Sequence, residues 1–154
     1  MLDIEEFEKK IDQKSRLLGV DPGKKRVGIA ICDENKIVAT PYTTVIKKKF
    51  LDFLNEINKI ISDNDIKGII IGNPINMDGT PSKSSQSAKD LAINLSKKIS
   101  IPVTMWDERL SSRGAFNLSN DLNVNTSKKI SKLDENSAAF ILQGALDFLN
   151  REIT

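Results

Sequence analysis

Gly68-Ile69-Ile70-Ile71-Gly72 is the stretch that most limits what this chain can fold into. It carries no polar side chain on either parity, so neither face of a strand built from it can meet water. A strand of this kind is covered on both faces, as in a parallel sheet clad with helices. With 154 residues the chain is long enough for one such domain and too short for two.

The neighbouring patterns supply the rest of the sheet. Arg16-Leu17-Leu18-Gly19-Val20-Asp21 reads as a buried strand ending in a carboxylate. Pro22-Gly23-Lys24-Lys25 reads as a turn, residues 27–32 as a second strand, Asp33-Glu34-Asn35 as another turn, and residues 36–40 as a third strand. Two short turns between three strands predict an antiparallel meander. Apolar residues at helical spacing then predict a helix over about 47–62, and the 68–72 strand follows. A polar loop over 73–87 leads into a helix reaching about Lys98, and residues 101–106 form the last strand. Residues 111–120 read as helical, 121–132 as a mobile polar loop, and 134–150 as a strong final helix. The fold class is therefore α/β: a mixed sheet of an antiparallel three-strand meander plus two parallel strands, with helices on both faces. Ile4, Phe7 and Ile11 place a short helix ahead of it, so residues 1–15 form a helical extension and 16–154 a single domain.

Two absences narrow the chemistry. The chain has no histidine, which excludes a Ser-His-Asp triad, a Cys-His pair and every His-ligated zinc site. Its one cysteine, Cys32, lies in an apolar run and reads as a buried strand thiol. The first residues are acidic and no long apolar core follows, unlike a secretory signal. No run approaches the roughly 18 apolar residues of a membrane span, so the expectation is a cytoplasmic protein.

Acid-base or metal chemistry must then come largely from carboxylates, and these fall in a pattern. Asp21 ends the first strand; Asp107 and Glu108 end the last; Asp134 opens the final helix. In sheets of this kind ligands sit outside the carboxyl ends of the strands. Each acid has an ordinary alternative: Asp21 as a turn residue before Pro-Gly, Asp134 as a helix N-cap, Asp107 and Glu108 as partners of nearby cations. Two apolar strands both ending in acid nevertheless favour a site, because buried unpaired charge is costly. Adjacent strand residues face opposite ways, so only one of Asp107 and Glu108 can point at a shared ligand, and alternation does not say which. An all-oxygen donor set suits Mg²⁺ or Mn²⁺, and two such ions can assist in-line displacement at phosphorus.

Net charge is only +2, so basic clusters matter more than bulk charge. Lys24, Lys25 and Arg26 follow Asp21, while Arg109 and Arg113 follow Glu108. Lys128, Lys129 and Lys132 precede Asp134. All eight are candidates for phosphate contacts that would hold a polyanion at the acids. Lys47-Lys48-Lys49 and Lys97-Lys98 read as solvated surface.

The stretches LLGVDPGKKRVGIAI, IIIGNPINMDGTPSKSSQSAKDLA, VTMWDERLSS and KLDENSAAFIL occur in an order and spacing that resemble the YqgF/RuvX family. The resemblance covers about residues 16 to 150, and the combined motifs are specific although each alone is weak. It implies an RNase H-like fold and a metal-dependent nuclease that matures the 5′ end of 16S ribosomal RNA or resolves Holliday junctions. Its partner would be a structured nucleic acid, a pre-rRNA or a DNA junction. The resemblance makes Asp21, Glu108 and Asp134 the catalytic, metal-holding acids and Asp107 a secondary candidate. Arg109 and the Asn76-Met77-Asp78-Gly79 loop belong to the same pattern. The chain departs from it in residues 1–15, which precede the usual start, and in Asn73, where leucine is common. A non-catalytic RNA-binding factor and an actin-like ATPase fragment are the other readings of such a core. The sequence does not set the oligomeric state; a homodimer is allowed.

Overall fold

A computed structural model describes residues 1–108 and 126–151 apart from Lys48, Met77 and Lys83, with the backbone alone described over 126–135. Five strands form one sheet: β1 Arg16–Pro22, β2 Arg26–Cys32, β3 Ala39–Ile46, β4 Ile66–Asn73 and β5 Val103–Asp107. Their order across the sheet is β3-β2-β1-β4-β5. The β1–β2 and β2–β3 pairs are antiparallel, and β1–β4 and β4–β5 are parallel. The expected meander and the two parallel strands are both present, with β1 at the centre.

Strand alternation sorts the core into two halves. Leu18, Val20, Ile69 and Ile71 face α2 (Phe50–Asn64) and α3 (Ser85–Lys98). Leu17, Ile70 and Trp106 face α1 (Ile4–Lys10) and the last described helix, α4 (Thr126–Leu149). Ile69, Ile70 and Ile71 are all fully buried, as an apolar run with no polar parity requires. Cys32 is buried too; its Sγ accepts the Leu17 N–H at 3.2 Å, and burial pushes its pKa up to about 11. Among the described residues no helix is long and apolar enough to cross a membrane.

The N-terminal helix is shorter than the apolar spacing suggests. Asp3 caps it by accepting the Glu6 N–H at 2.8 Å, and Phe7 is fully buried against the sheet. The chain becomes extended at Ile11. The carbonyls of Asp12 and Gln13 then accept from the Lys36 ammonium.

Two expectations need correction. The third strand is not 36–40 but Ala39–Ile46. Asp33 accepts the N–H groups of Asn35, Ile37 and Val38, which winds 33–38 into a loop with Lys36 at φ 59°. Pairing begins only at Ala39 opposite Cys32 and runs past Pro41, tolerated because β3 is an edge strand. The second correction concerns the polar segment over 121–132. Residues 126–132 are the first turns of α4, so the helix begins well before Asp134. Lysine and leucine are good helix formers, and no proline interrupts 126–149. Polarity there does not mark a loop. Residues 121–125 and the expected helix at 111–120 lie outside the described residues.

Candidate active site

The three parallel strands β1, β4 and β5 bring their carboxyl ends to one edge. Asp21 sits there on β1, half-buried, opposite Gly28 of β2. It has the parity of Leu17 and Gly19, which belongs to the α4 face. That helix packs tightly over Gly19: a Cβ there would lie 2.7 Å from Leu142 Cβ and 3.0 Å from the Ala138 carbonyl oxygen.

Asp107 ends β5 and Glu108 follows it, two strands away, so about 10 Å of sheet separates their backbone from β1. Asp107 pairs with Asn73 and shares the parity of Val103 and Met105, on the α2/α3 face. Glu108 turns the other way and crosses β4 at Gly72. A Cβ at Gly72 would stand 2.6 Å from Glu108 Oε1 and 2.6 Å from Ile141 Cδ1. Glycine is what lets the longer acid lie across the strand. Glu108 thereby meets Asp21, and the two carboxyls share a hydrogen bond. Burial, then the Asp21 charge and that bond, then Asp107, push the Glu108 pKa up to about 7.

Asp134 lies within α4, one turn before Ala138. That is the helix register that passes over Gly19, two residues along β1 from Asp21. Its side chain lies outside the described residues. Among the described side chains no group of three metal-ligating residues forms; the structure brings Asp21 and Glu108 together, with Asp107 beside them on the other face. The oxygen-only pair fits a hard divalent cation. A half-buried carboxyl that keeps its proton near neutrality marks an excess of negative charge that a cation would relieve.

The sequence model of the RuvX family, described as Holliday junction resolvase, matches residues 15–148. The chain belongs to the RuvX family. A relative from Pelagibacter ubique (strain HTCC1062), named "Putative pre-16S rRNA nuclease", is 53% identical over 150 residues, 97% of this chain and 99% of its own length. One of the same name from Ruegeria sp. (strain TM1040) is 38% identical over 144 residues, 94% and 92% of the two chains. Among solved structures, Thermus thermophilus RuvC in complex with a Holliday junction substrate aligns with TM-score 0.55 at 10% identity, covering 88% of this chain and 96% of RuvC. Ydc2, the yeast mitochondrial Holliday junction resolvase, aligns with TM-score 0.53 at 12% identity, covering 95% and 84%. These likenesses show the fold, an RNase H-like mixed sheet.

Other parts of the RuvX pattern find their places around the same edge. Beyond β4, Ile75 pairs with Pro81, the Asn76 N–H donates to the Thr80 carbonyl at 2.9 Å, and Asp78 Oδ1 accepts the Thr80 N–H and hydroxyl. Gly79 supplies the left-handed turn at φ 92°. Asn73, where the family favours leucine, accepts the Ser85 hydroxyl at 2.9 Å and ties the end of β4 to α3. Lys24, Lys25 and Arg26 are exposed on the β1–β2 turn and the first residue of β2. Arg109 and Arg113 lie outside the described residues, and of Lys128, Lys129 and Lys132 only the helical backbone is described. Gly72 is the site residue that sequence reasoning missed. Its signal was the glycine closing the Ile69–Ile71 run, which reads equally well as a strand end.

Proposed function

We propose that this RuvX family member is a metal-dependent nuclease acting at the Asp21–Glu108 edge, with the 5′ end of a 16S rRNA precursor as substrate. The observation that carries the reading is the meeting of those two carboxyls across Gly72. Acids from strands that are not neighbours, brought into hydrogen-bond contact at the expense of a raised pKa, are typical of sites built for chemistry. The substrate follows the names of the relatives from Pelagibacter and Ruegeria. In this reading residues 16–154 are one nuclease domain working in the cytoplasm, and 1–15 are a helical extension.

Asp21 and Glu108 would hold Mg²⁺ or Mn²⁺, with Asp134 as a third ligand from α4. Bound there, the ion would supply Lewis-acid chemistry at the phosphoryl group. A cation held there would favour the ionised form of Glu108 over the protonated one. Lys24, Lys25, Arg26, Arg109, Arg113, Lys128, Lys129 and Lys132 hold the strand by its phosphates, which positions it without reading its sequence. Asp107, on the other face, adds negative charge behind Glu108.

Resolution of a Holliday junction is the second reading, favoured by the description of the RuvX family itself. Wild-type protein and Asp21→Asn, offered a precursor RNA and a four-way DNA junction with metal and with chelator, decide between them. The expected result is metal-dependent cleavage of the RNA by wild type. Asp21→Asn should lose at least about a hundredfold in rate with a nearly unchanged melting temperature. Cleavage of the junction alone would make the protein a resolvase; binding without cleavage would make it an RNA-binding factor.

A further inference from the structure

At the same edge as Asp21, toward the α2/α3 side, a cleft of about 90 Å³ opens beside the β1–β2 turn. Gly23, Lys24, Lys47, Ser84, Ser87 and Leu91 line it. Its charged walls are lysines and its other polar side chains are hydroxyls. The two larger polar hollows differ, because acids balance bases on their walls: Glu8 and Asp12 against Lys14 and Lys36 in one, and Glu34, Asp63 and Asp65 against Lys14, Arg16 and Lys67 in the other. Of these three, only the cleft at the acidic edge has positive charge uncompensated on its own walls. The Lys47 N–H donates to the Lys25 carbonyl at 2.8 Å, so the two lysine-bearing segments are held together by backbone. The first turn of α3, which carries Ser87, contains no acidic residue to oppose an anion.

A second hollow of about 80 Å³ adjoins the first. It shares Lys47 and Leu91 and is otherwise lined by Val27, Phe50 and Phe53. Phe50 is only partly buried. A seat for an anion thus stands next to an apolar hollow that has two aromatic rings in its walls. Phosphate joined to a flat, apolar-faced ring is the chemistry of a nucleotide.

We propose that this composite cleft holds one nucleotide of the substrate strand, flanking the nucleotide that is cut. Its phosphate lies between Lys24 and Lys47 against the Ser84 and Ser87 hydroxyls, and its base lies on Phe50. The strand reaches the cleft by passing from Asp21 over Pro22-Gly23, the turn that joins them. The proposal rests on the nuclease reading and gives Lys47, which the sequence presents as plain surface, a place in it.

Fluorescence anisotropy of a labelled single-stranded oligoribonucleotide, in chelator so that nothing is cut, tests it on the full chain. Lys47→Ala should weaken binding about fivefold and make the salt slope shallower by about 0.7. Ser87→Asp, which sets a carboxylate in the anion seat, should weaken it roughly tenfold or more. Both side chains are exposed, so both variants fold. Phe50→Leu keeps the hollow filled and should cost at least about fivefold through lost stacking. Lys67→Ala, beside Asp65 at the other end of the sheet, should change nothing. Variants that all bind like a binding-competent wild type would overturn the cleft and leave the nuclease reading standing. A wild type that binds no strand would sink both. Adenosine monophosphate binding below about 100 µM, lost in Lys47→Ala, would make a free nucleotide the occupant and overturn the strand assignment.

Discussion

Glu108 works across a distance set by another residue's missing side chain. Gly72→Ala would place a methyl 2.6 Å from Glu108 Oε1 and from the tip of Ile141. Ile141 can give, but the acid must leave Asp21. The expected outcome is a rate loss of tenfold or more in single-turnover cleavage, with a stability cost of only about 1–3 kcal/mol. An alanine variant cutting at the wild-type rate would show that the two acids need not touch. The Glu108 proton makes a separate prediction. Its pKa is about 7 in the fold against an ordinary 4.5, so between those values the folded state binds more protons than the unfolded one. Stability of the metal-free protein therefore falls as pH rises through this window. Glu108→Gln carries no such proton and should be the more stable of the two at pH 8, by on the order of 1–2 kcal/mol after allowance for partial exposure. That advantage should vanish near pH 4.5, and melting curves in chelator at both pH values check it. Asp21 was readable because a strand's own pattern shows where it ends. The choice between Asp107 and Glu108 was not, because it depends on Gly72, a residue of another strand whose register local spacing does not encode.

At the scale of elements, α1 behaves as part of the core. Phe7 is fully buried beneath Gly68, the Leu2 N–H donates to the Val103 carbonyl at 2.9 Å, and Arg151 beyond α4 pairs with Glu8 at 3.2 Å. Phe7→Ala should cost about 3–5 kcal/mol, a large share of the stability of a domain this size. Urea unfolding should show it as a lowered midpoint at an unchanged slope. Phe7 lies at the other end of β4 from Gly72, so cleavage per folded molecule should hold. A midpoint shift under about 1 kcal/mol would mean that α1 is only laid on the surface. The periodicity of Ile4, Phe7 and Ile11 made this helix legible. β3 was harder: its Pro41 reads as a stop, and the Asp33 loop that delays pairing is made by side-chain bonds to the backbone of Asn35, Ile37 and Val38. The β2–β3 pairing also leaves Tyr42 as an extra residue, and proline with a bulge blunts an open sheet edge. The start of α4 was misread for the opposite reason. Its first turns have good helix formers but few apolar residues, and apolar period was the signal being followed.

For the whole molecule, a mixed sheet of a three-strand meander and two parallel strands was legible from short connections, one run of isoleucine and alternating helices, while the order β3-β2-β1-β4-β5 came from the structure. The same topology decides when the protein acquires its chemistry. The β1–β2 hairpin is local and can form early, yet it brings Asp21 nothing to work with. Glu108 arrives only after β4 has paired with β1 and β5 with β4, across more than half the chain. Long-range parallel pairing is slow compared with hairpin formation. A half-made or half-folded molecule is therefore chemically silent. Trp106, the single tryptophan, stands in β5 opposite Gly72, so its fluorescence should recover together with nuclease activity. Hairpin protection measured by pulsed hydrogen exchange should come first, and cleavage appearing with the hairpin would contradict this order. The blade is sharpened last, once the molecule that must aim it is complete.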